Sequence, residues 1–320
     1  MVYYYIDFKW RKNKHFFEDF QGFKANNAMS YITKIQIEDF SAHNVNFGLI
    51  SKVSSEVIKK EIVFFDVETS GLSPFAHELI EIGAVKYNRY TNEFEKFESL
   101  LKPKRTLCEK NISVHGITNE DLESAPDPQA IVEAFFKFIE GTTLVAYNAQ
   151  FDIGFLMAEH IQRSLKIEAN NVLDALPLVR YTYRNQEGKP ENFKLSTLNS
   201  YFDLNLKSHR AFDDAVACMV VFLKGLERLD HLNKVKRFNV FDFKKVQRLE
   251  PCKKLEKIIK AINEEEDIEI VYKGGSKGRK LRALKPLAIL PLPHGTFIYS
   301  TCLEDKLNKA FNLKKITEVR

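Results

Sequence analysis

The sequence predicts an α/β fold, a mixed sheet flanked by helices, followed by a small β-rich module. Three observations carry that reading. Apolar, β-prone runs near residues 61–66, 79–90 and 93–102 follow one another with only short turns between them, the pattern of an antiparallel opening. From residue 113 onward, apolar spacing at helical period alternates with one short apolar strand, TLVAY at 143–147. Past residue 250 a single amphipathic helix gives way to strands and turns.

Taken in order, residues 61–66 end in FFD and form a buried strand; Thr91-Asn92 makes the turn between the next two, and Pro103 ends the third. Residues 113–123 and 130–140 carry helical patterns, as do 152–162, 195–201 and 211–229. The last of these places Ala215, Met219, Phe222, Leu223 and Leu226 on one apolar face. Residues 234–250 read as a polar connector, helical or irregular. Residues 252–264 make a basic helix with Leu255, Ile258, Ile259 and Ile262 inside. Strands follow at 268–272, 281–292 and 297–302, with the basic turn KGGSKGRK after the first. That turn lacks the GK[ST] ending of a phosphate-binding loop. The domain plan is therefore an aromatic-rich extension without an assigned role (1–60), an α/β domain (61–230), a connector (231–250) and a basic β module (251–320).

Composition bounds the class. With 44% hydrophobic and 28% charged residues, the chain has the balance of a soluble globular protein. No run of 18 apolar residues predicts a membrane span, and the opening MVYYYIDFKWRK lacks the apolar core of a signal peptide. Cys108, Cys218, Cys252 and Cys302 form no metal-type spacing and suit reduced thiols in a cytoplasmic protein. Charge is uneven: residues 231–320 hold 21 Lys/Arg against 11 Asp/Glu, a net +10, which leaves the rest at −5. Such asymmetry points to a nucleic-acid partner for the basic part. Basic residues also alternate with aromatics in residues 1–23, as at Lys9, Trp10 and Arg11, which suits either a stacking surface or ordinary packing.

The chemistry lies in three stretches. In EIVFFDVETSGL, Asp66 and Glu68 are two apart on a strand and share one face. Carboxylates that close repel unless a cation sits between them, and hard divalent ions take carboxylate oxygens. In AYNAQFDIGFL, Asp152 opens a helix after the TLVAY strand, and SHRAFDDAVA puts His209, Asp213 and Asp214 at the start of another. Four carboxylates and a histidine meeting at one sheet edge suit two divalent cations about 4 Å apart, the arrangement for in-line phosphodiester displacement. A histidine titrating near neutrality suits the proton transfer, and His209 is the candidate base.

FDVETSGL, NAQFD and HRAFDDA, in that order, resemble the three motifs of the DEDDh 3′–5′ exonucleases, the DnaQ-like superfamily that includes the epsilon subunit of DNA polymerase III and the PolC exonuclease. VHGIT, LDALPLVR and FKLSTLNSYF agree with the same branch. The resemblance covers roughly residues 61–229 and implies a ribonuclease H-like fold. It implies metal ligands at Asp66, Glu68, Asp152 and Asp214, a general base at His209, and two divalent cations, Mg²⁺ or Mn²⁺. Between the adjacent acids it selects Asp214, five residues after His209, and leaves Asp213 as a first-turn acid favoured by the helix dipole. Thr69, Gly71 and Leu72 match positions against the terminal nucleotide, Asn148 and Phe151 match positions lining the same recess, and His115 falls in the HGIT turn. Leu72 and Phe151 equally suit core packing. Residues 251–320 resemble a WYL domain, a small Sm/SH3-like β-barrel, with Arg282 and Lys309 as the implied accessory nucleic-acid contacts; Thr296-Phe297-Ile298 replace its namesake residues. The expected substrates are single-stranded or frayed 3′ ends of DNA, in replication proofreading or repair, alone or with a DNA polymerase or repair complex and with no membrane. Hydrolysis of RNA ends and metal-free nucleic-acid binding by a regulator are the alternatives.

Overall fold

A computed structural model describes residues 31–71, 74, 77–163, 165, 171–242, 252–274, 280–292, 295–306 and 308–320. The aromatics of residues 1–30, Leu72, the tip of the KGGSKGRK turn and residues 243–251 lie outside that set. The chain divides into two compact units, one covering residues 28–72 and 77–243, the other containing residues 244–320.

The first unit is built on a seven-stranded sheet: β1 (Ile32–Ile35), β2 (Glu61–Thr69), β3 (Leu79–Asn88), β4 (Phe94–Leu100), β5 (Thr143–Ala146), β6 (Asn171–Asp174) and β7 (Asn239–Asp242). Its spatial order is β1-β4-β3-β2-β5-β6-β7. β2, β3 and β4 pair antiparallel, while β5 and β6 run parallel to β2. This is the mixed, ribonuclease H-like sheet that the motif order implies. Ile62, Val63, Phe64 and Phe65 are all buried, because β2 is central and helices cover both faces. On one face Phe64 meets Phe222 of α8 (Ala211–Glu227), with ring centroids 5.6 Å apart. On the other, Phe65 meets Phe135 of α4 (Pro128–Phe138) at 5.9 Å. Burying such a side chain fully contributes about 1.5–3 kcal/mol.

Several elements depart from the sequence reading. The helix expected over 113–123 is two short ones, α2 (Glu109–His115) and α3 (Asn119–Glu123). Gly116, at φ 71°, ends the first, and Thr118 with Asp121 forms a capping box that starts the second. β2 runs on to Thr69, so the turn begins later than the 61–66 strand implied. The sheet also extends beyond residues 61–230 at both ends. β1 pairs with β4, and Phe40, Phe47, Ile50, Val53 and Ile58, around α1 (Gly48–Lys52), join the same core as Phe64 and Phe222. At the other end β7 adds an antiparallel edge to β6, where a connector was expected. Arg89 fixes the 51–58 loop by donating to the carbonyls of Ile58, Ser51 and Val53 at 2.6–2.7 Å.

In the second unit, α9 (Lys253–Glu264) precedes five strands: β8 (Ile268–Tyr272), β9 (Leu281–Leu292), β10 (Gly295–Cys302), β11 (Asn308–Asn312) and β12 (Ile316–Val319). They form an antiparallel sheet in the order β11-β10-β9-β8-β12. Ile258, Ile270, Leu284, Ile298, Phe311 and Ile316 fill its core. Two lysines of the basic helix are structural: Lys254 donates to the Leu313 and Ile316 carbonyls, and Lys257 to that of Val319.

Candidate active site

The acids meet where the central strand loses a neighbour. Pairing of β2 with β5 stops at Phe64 opposite Val145, so the backbone beyond has no parallel partner. There the N–H of Val67, between Asp66 and Glu68, donates to Asp152 Oδ1 at 3.3 Å. Asp152 is 2% exposed and sits in the first turn of α5 (Gln150–Arg163). The crossing from β5 into α5 passes through Asn148, held at φ 60°. The Asn148 N–H donates at 3.0 Å to buried Asp174, which also caps α6 (Ala175–Tyr183). A non-glycine residue in the left-handed region is uncommon, and such residues concentrate at functional sites. His209, just before α8, is a second one, at φ 62°.

Asp214 arrives on the first turn of α8, its Oδ2 accepting the His209 N–H at 2.9 Å. What lets α8 come so close is Gly83 on β3, opposite Asp66. A Cβ there would lie 2.1–2.2 Å from the backbone of Ala211 and Phe212. Asp213 faces the loop instead, accepting from the Lys207 N–H at 3.2 Å. Glu68, His209 and Asp214 can each offer a ligand atom within 4.8 Å of the others. Together with Asp66, Asp152, Asn148 and Phe151 they line a cleft of about 800 Å³.

The electrostatics are those of acids crowded without enough positive charge. Burial, then repulsion from Asp152, Asp214, Glu68 and Glu81, pushes Asp66 well above the usual carboxylate range. Asp152 is pushed up too, chiefly by burial. Burial and the charges of Asp214 and Glu81 raise Glu68 to about 8, and burial raises Asp214 to about 6 against the pull of the His209 N–H. A divalent cation would return every one of these groups to the ionised form, so the donor set fits hard oxygen-seeking ions.

The other predicted residues fall in different places. Thr69 is buried at the end of β2, its hydroxyl donating to the Gly71 carbonyl at 2.8 Å. Asn111 of α2 holds the following turn by donating to the Ser70 carbonyl. His115 does not line the cleft. It is buried at the end of α2, its Nδ1 accepting the Ile117 N–H, and burial lowers its proton affinity. In the second unit, Arg282 donates to the Gly274 carbonyl and its guanidinium lies 5.7 and 5.9 Å from the Tyr272 and Phe311 ring centroids. Lys309 pairs with Asp305.

The residue that sequence reasoning missed is Glu81. It stands directly across from Glu68 in the β2–β3 register and is 1% exposed. Arg210 donates to it through Nε and a terminal nitrogen, the latter at 2.7 Å, and the Ala211 N–H adds a bond of 2.9 Å. It therefore ties the start of α8, and the His209 loop before it, to the sheet. The available signal was one acid inside the otherwise apolar run LIEIGAV.

Comparison with known proteins finds relatives in sequence and in fold. Among curated proteins, the PolC-type DNA polymerase III of Caldanaerobacter subterraneus is 35% identical over 185 residues, 58% of this chain and 13% of that polymerase. The Bacillus subtilis PolC-type enzyme is 39% identical over 170 residues, 52% of this chain and 11% of the polymerase. The chain thus spans only about an eighth of those relatives' length. Among solved structures, E. coli exonuclease I in complex with a dA16 oligonucleotide matches at 16% identity and a TM-score of 0.48, covering 76% of this chain and 55% of that one. The model of the exonuclease family matches residues 63–222, half of the chain, and takes in all three acidic stretches. With that match laid over the strand edge, the two helix starts and the cleft between them, the chain belongs to the exonuclease family.

Proposed function

We propose that this protein is a metal-dependent 3′–5′ exonuclease that removes nucleoside monophosphates from single-stranded or frayed DNA ends, in proofreading or repair. One observation carries the reading: in a chain of the exonuclease family, Asp66, Glu68, Asp152 and Asp214 converge with His209 on one cleft. The unit of residues 28–72 and 77–243, which contains most of the 61–230 span expected from sequence, would be the catalytic domain and residues 251–320 a basic module, with Arg282 and Lys309 as its accessory contacts. The DNA preference is supported by the PolC-type relatives, which are DNA polymerases by name.

Two divalent cations, Mg²⁺ or Mn²⁺, held by the four carboxylates, would activate a water and stabilise charge on the leaving oxygen. His209 is exposed beside Asp214 and takes the proton of the attacking water. The water's electron pair forms the new P–O bond as the bond to the 3′ oxygen of the penultimate nucleotide breaks. That oxygen collects a proton from solvent, leaving a free 3′-hydroxyl and a nucleoside 5′-monophosphate. Asn148 and Phe151 border the acids within the cleft and suit the terminal nucleotide. Thr69 and Gly71, at and just beyond the end of β2, would complete its recess; Leu72, assigned there by the motif resemblance, lies outside the described residues.

The test is digestion of matched 5′-labelled single-stranded DNA and RNA with Mg²⁺, with Mn²⁺ and with EDTA. Metal-dependent laddering from the 3′ end, faster on DNA and abolished in folded Asp152→Ala and His209→Ala, is the expected result. Faster trimming of RNA would reassign the substrate, and metal-free binding without cleavage would favour a regulator.

A further inference from the structure

The cleft continues past the acids along a wall that carries the opposite charge. Leu176 and Arg180, one turn apart on α6, line it together with Phe193 and Lys194, which lead into α7 (Leu195–Tyr201). This wall is held to the acidic end by Tyr147, whose hydroxyl donates to the Phe193 carbonyl at 2.6 Å. Arg180 and Lys194 are the lysine and arginine side chains of the cleft lining. Both are exposed, and among the described residues neither enters an ion pair. The acid that feels Arg180's charge, Asp174, is buried and takes its hydrogen bonds from the N–H groups of Leu176 and Asn148 rather than from the guanidinium.

We infer that Arg180 and Lys194 form a subsite for the phosphates one and two nucleotides upstream of the scissile bond of a single strand. The inference rests on the exonuclease reading above. A strand whose last phosphodiester lies at the acids brings further negative charge into the same cleft, and four carboxylates repel it. Two cations outside any ion pair, further along the lining, offset that repulsion and fix the strand's register, while Phe193 offers an aromatic side chain to a base between them and Phe151 meets the terminal one. Basic groups with aromatics between them are the pairing that sequence-tolerant single-strand sites use. The subsite would therefore act on the polymer and much less on an isolated nucleotide.

The experiment compares two substrates in Mn²⁺. One is a single-stranded oligonucleotide; the other is the p-nitrophenyl ester of thymidine 5′-monophosphate, which presents a scissile diester and no upstream phosphate. For Arg180→Ala/Lys194→Ala, with folding checked by thermal melting, the ratio of kcat/KM for the oligonucleotide to that for the ester should fall at least about tenfold. The salt slope of oligonucleotide binding should flatten by roughly 0.7 per lost phosphate contact. Oligonucleotides with one neutral methylphosphonate at successive upstream linkages then locate the contact. The wild type should be slowed most by neutralising the first or second linkage, and the variant should lose that sensitivity. An unchanged ratio, or methylphosphonate losses that simply add to those of the variant at every linkage, would overturn the subsite. Failure of the wild type to hydrolyse the oligonucleotide in the presence of metal would overturn the exonuclease reading instead.

Discussion

Glu68 and Glu81 are cross-strand partners at the same end of one sheet, and the protein treats them in opposite ways. Glu81 is matched by the Arg210 guanidinium and by the Ala211 N–H that opens α8. Among the described residues Glu68 has no such direct donor: burial, then the charges of Asp214 and Glu81, raise it to about 8 against the more distant pull of Arg210. One carboxylate is satisfied by the fold and therefore holds the fold. The other is left wanting positive charge and is available for a ligand. The lesson is that burial of an acid does not by itself mark a reactive one; what separates the two is whether the polypeptide supplies the counter-charge.

That contrast can be broken from either side. The largest effect should come from the unmatched acids: Asp152→Asn lowers kcat on the order of 10³-fold or more, as removal of a central catalytic group does. Because it deletes a crowded charge, its melting temperature in EDTA should equal or exceed that of the wild type. A variant that keeps full activity would remove Asp152 from the site. Next, Gly83→Ala forces the start of α8 off the sheet and displaces Asp214 and His209 together, for a loss of about 10²-fold. Metal titration should show weakened cation binding in the same variant, and normal binding would argue against the close approach. Glu81→Ala acts through stability: the half-exposed Arg210 softens the penalty, leaving about 2–3 kcal/mol in chemical denaturation, with activity falling as His209 loses its anchor.

The smallest effect separates the acids by pH. In EDTA the folded form holds protons on Glu68 and Asp214 that the unfolded chain releases. Stability should therefore fall as pH rises from the ordinary 4.5 of a glutamate toward about 8, with Asp214 contributing between 3.8 and about 6. Added Mg²⁺ competes with those protons, so its stabilisation in urea melts should be larger at pH 8 than at pH 5. Equal stabilisation at both would mean that these carboxylates do not bind the ion.

Much of the site could be read from local pattern. The shared face of Asp66 and Glu68 follows from the two-residue period of a strand, and the placing of Asp152 and Asp214 follows from helix starts after apolar runs. Less could be read about the edges of the fold. Residues 31–60 carry short, irregular elements whose apolar side chains have no clear period, yet Phe40, Phe47 and Ile58 are core residues. The helix break at Gly116 was written in Gly-Ile-Thr followed by Asp121, a cap signal overshadowed by the apolar spacing around it.

By itself, then, the sequence determined which residue types stand at the ends of which elements, because strand period, helix period and capping are local rules. Tertiary structure decided which of those residues meet. The Val67 N–H reaches Asp152 across 85 positions, and Arg210 reaches Glu81 across 129. Such contacts exist only once β2, β3, α5 and α8 have packed, and the packing turns on the missing side chain of Gly83, whose neighbours no local pattern names.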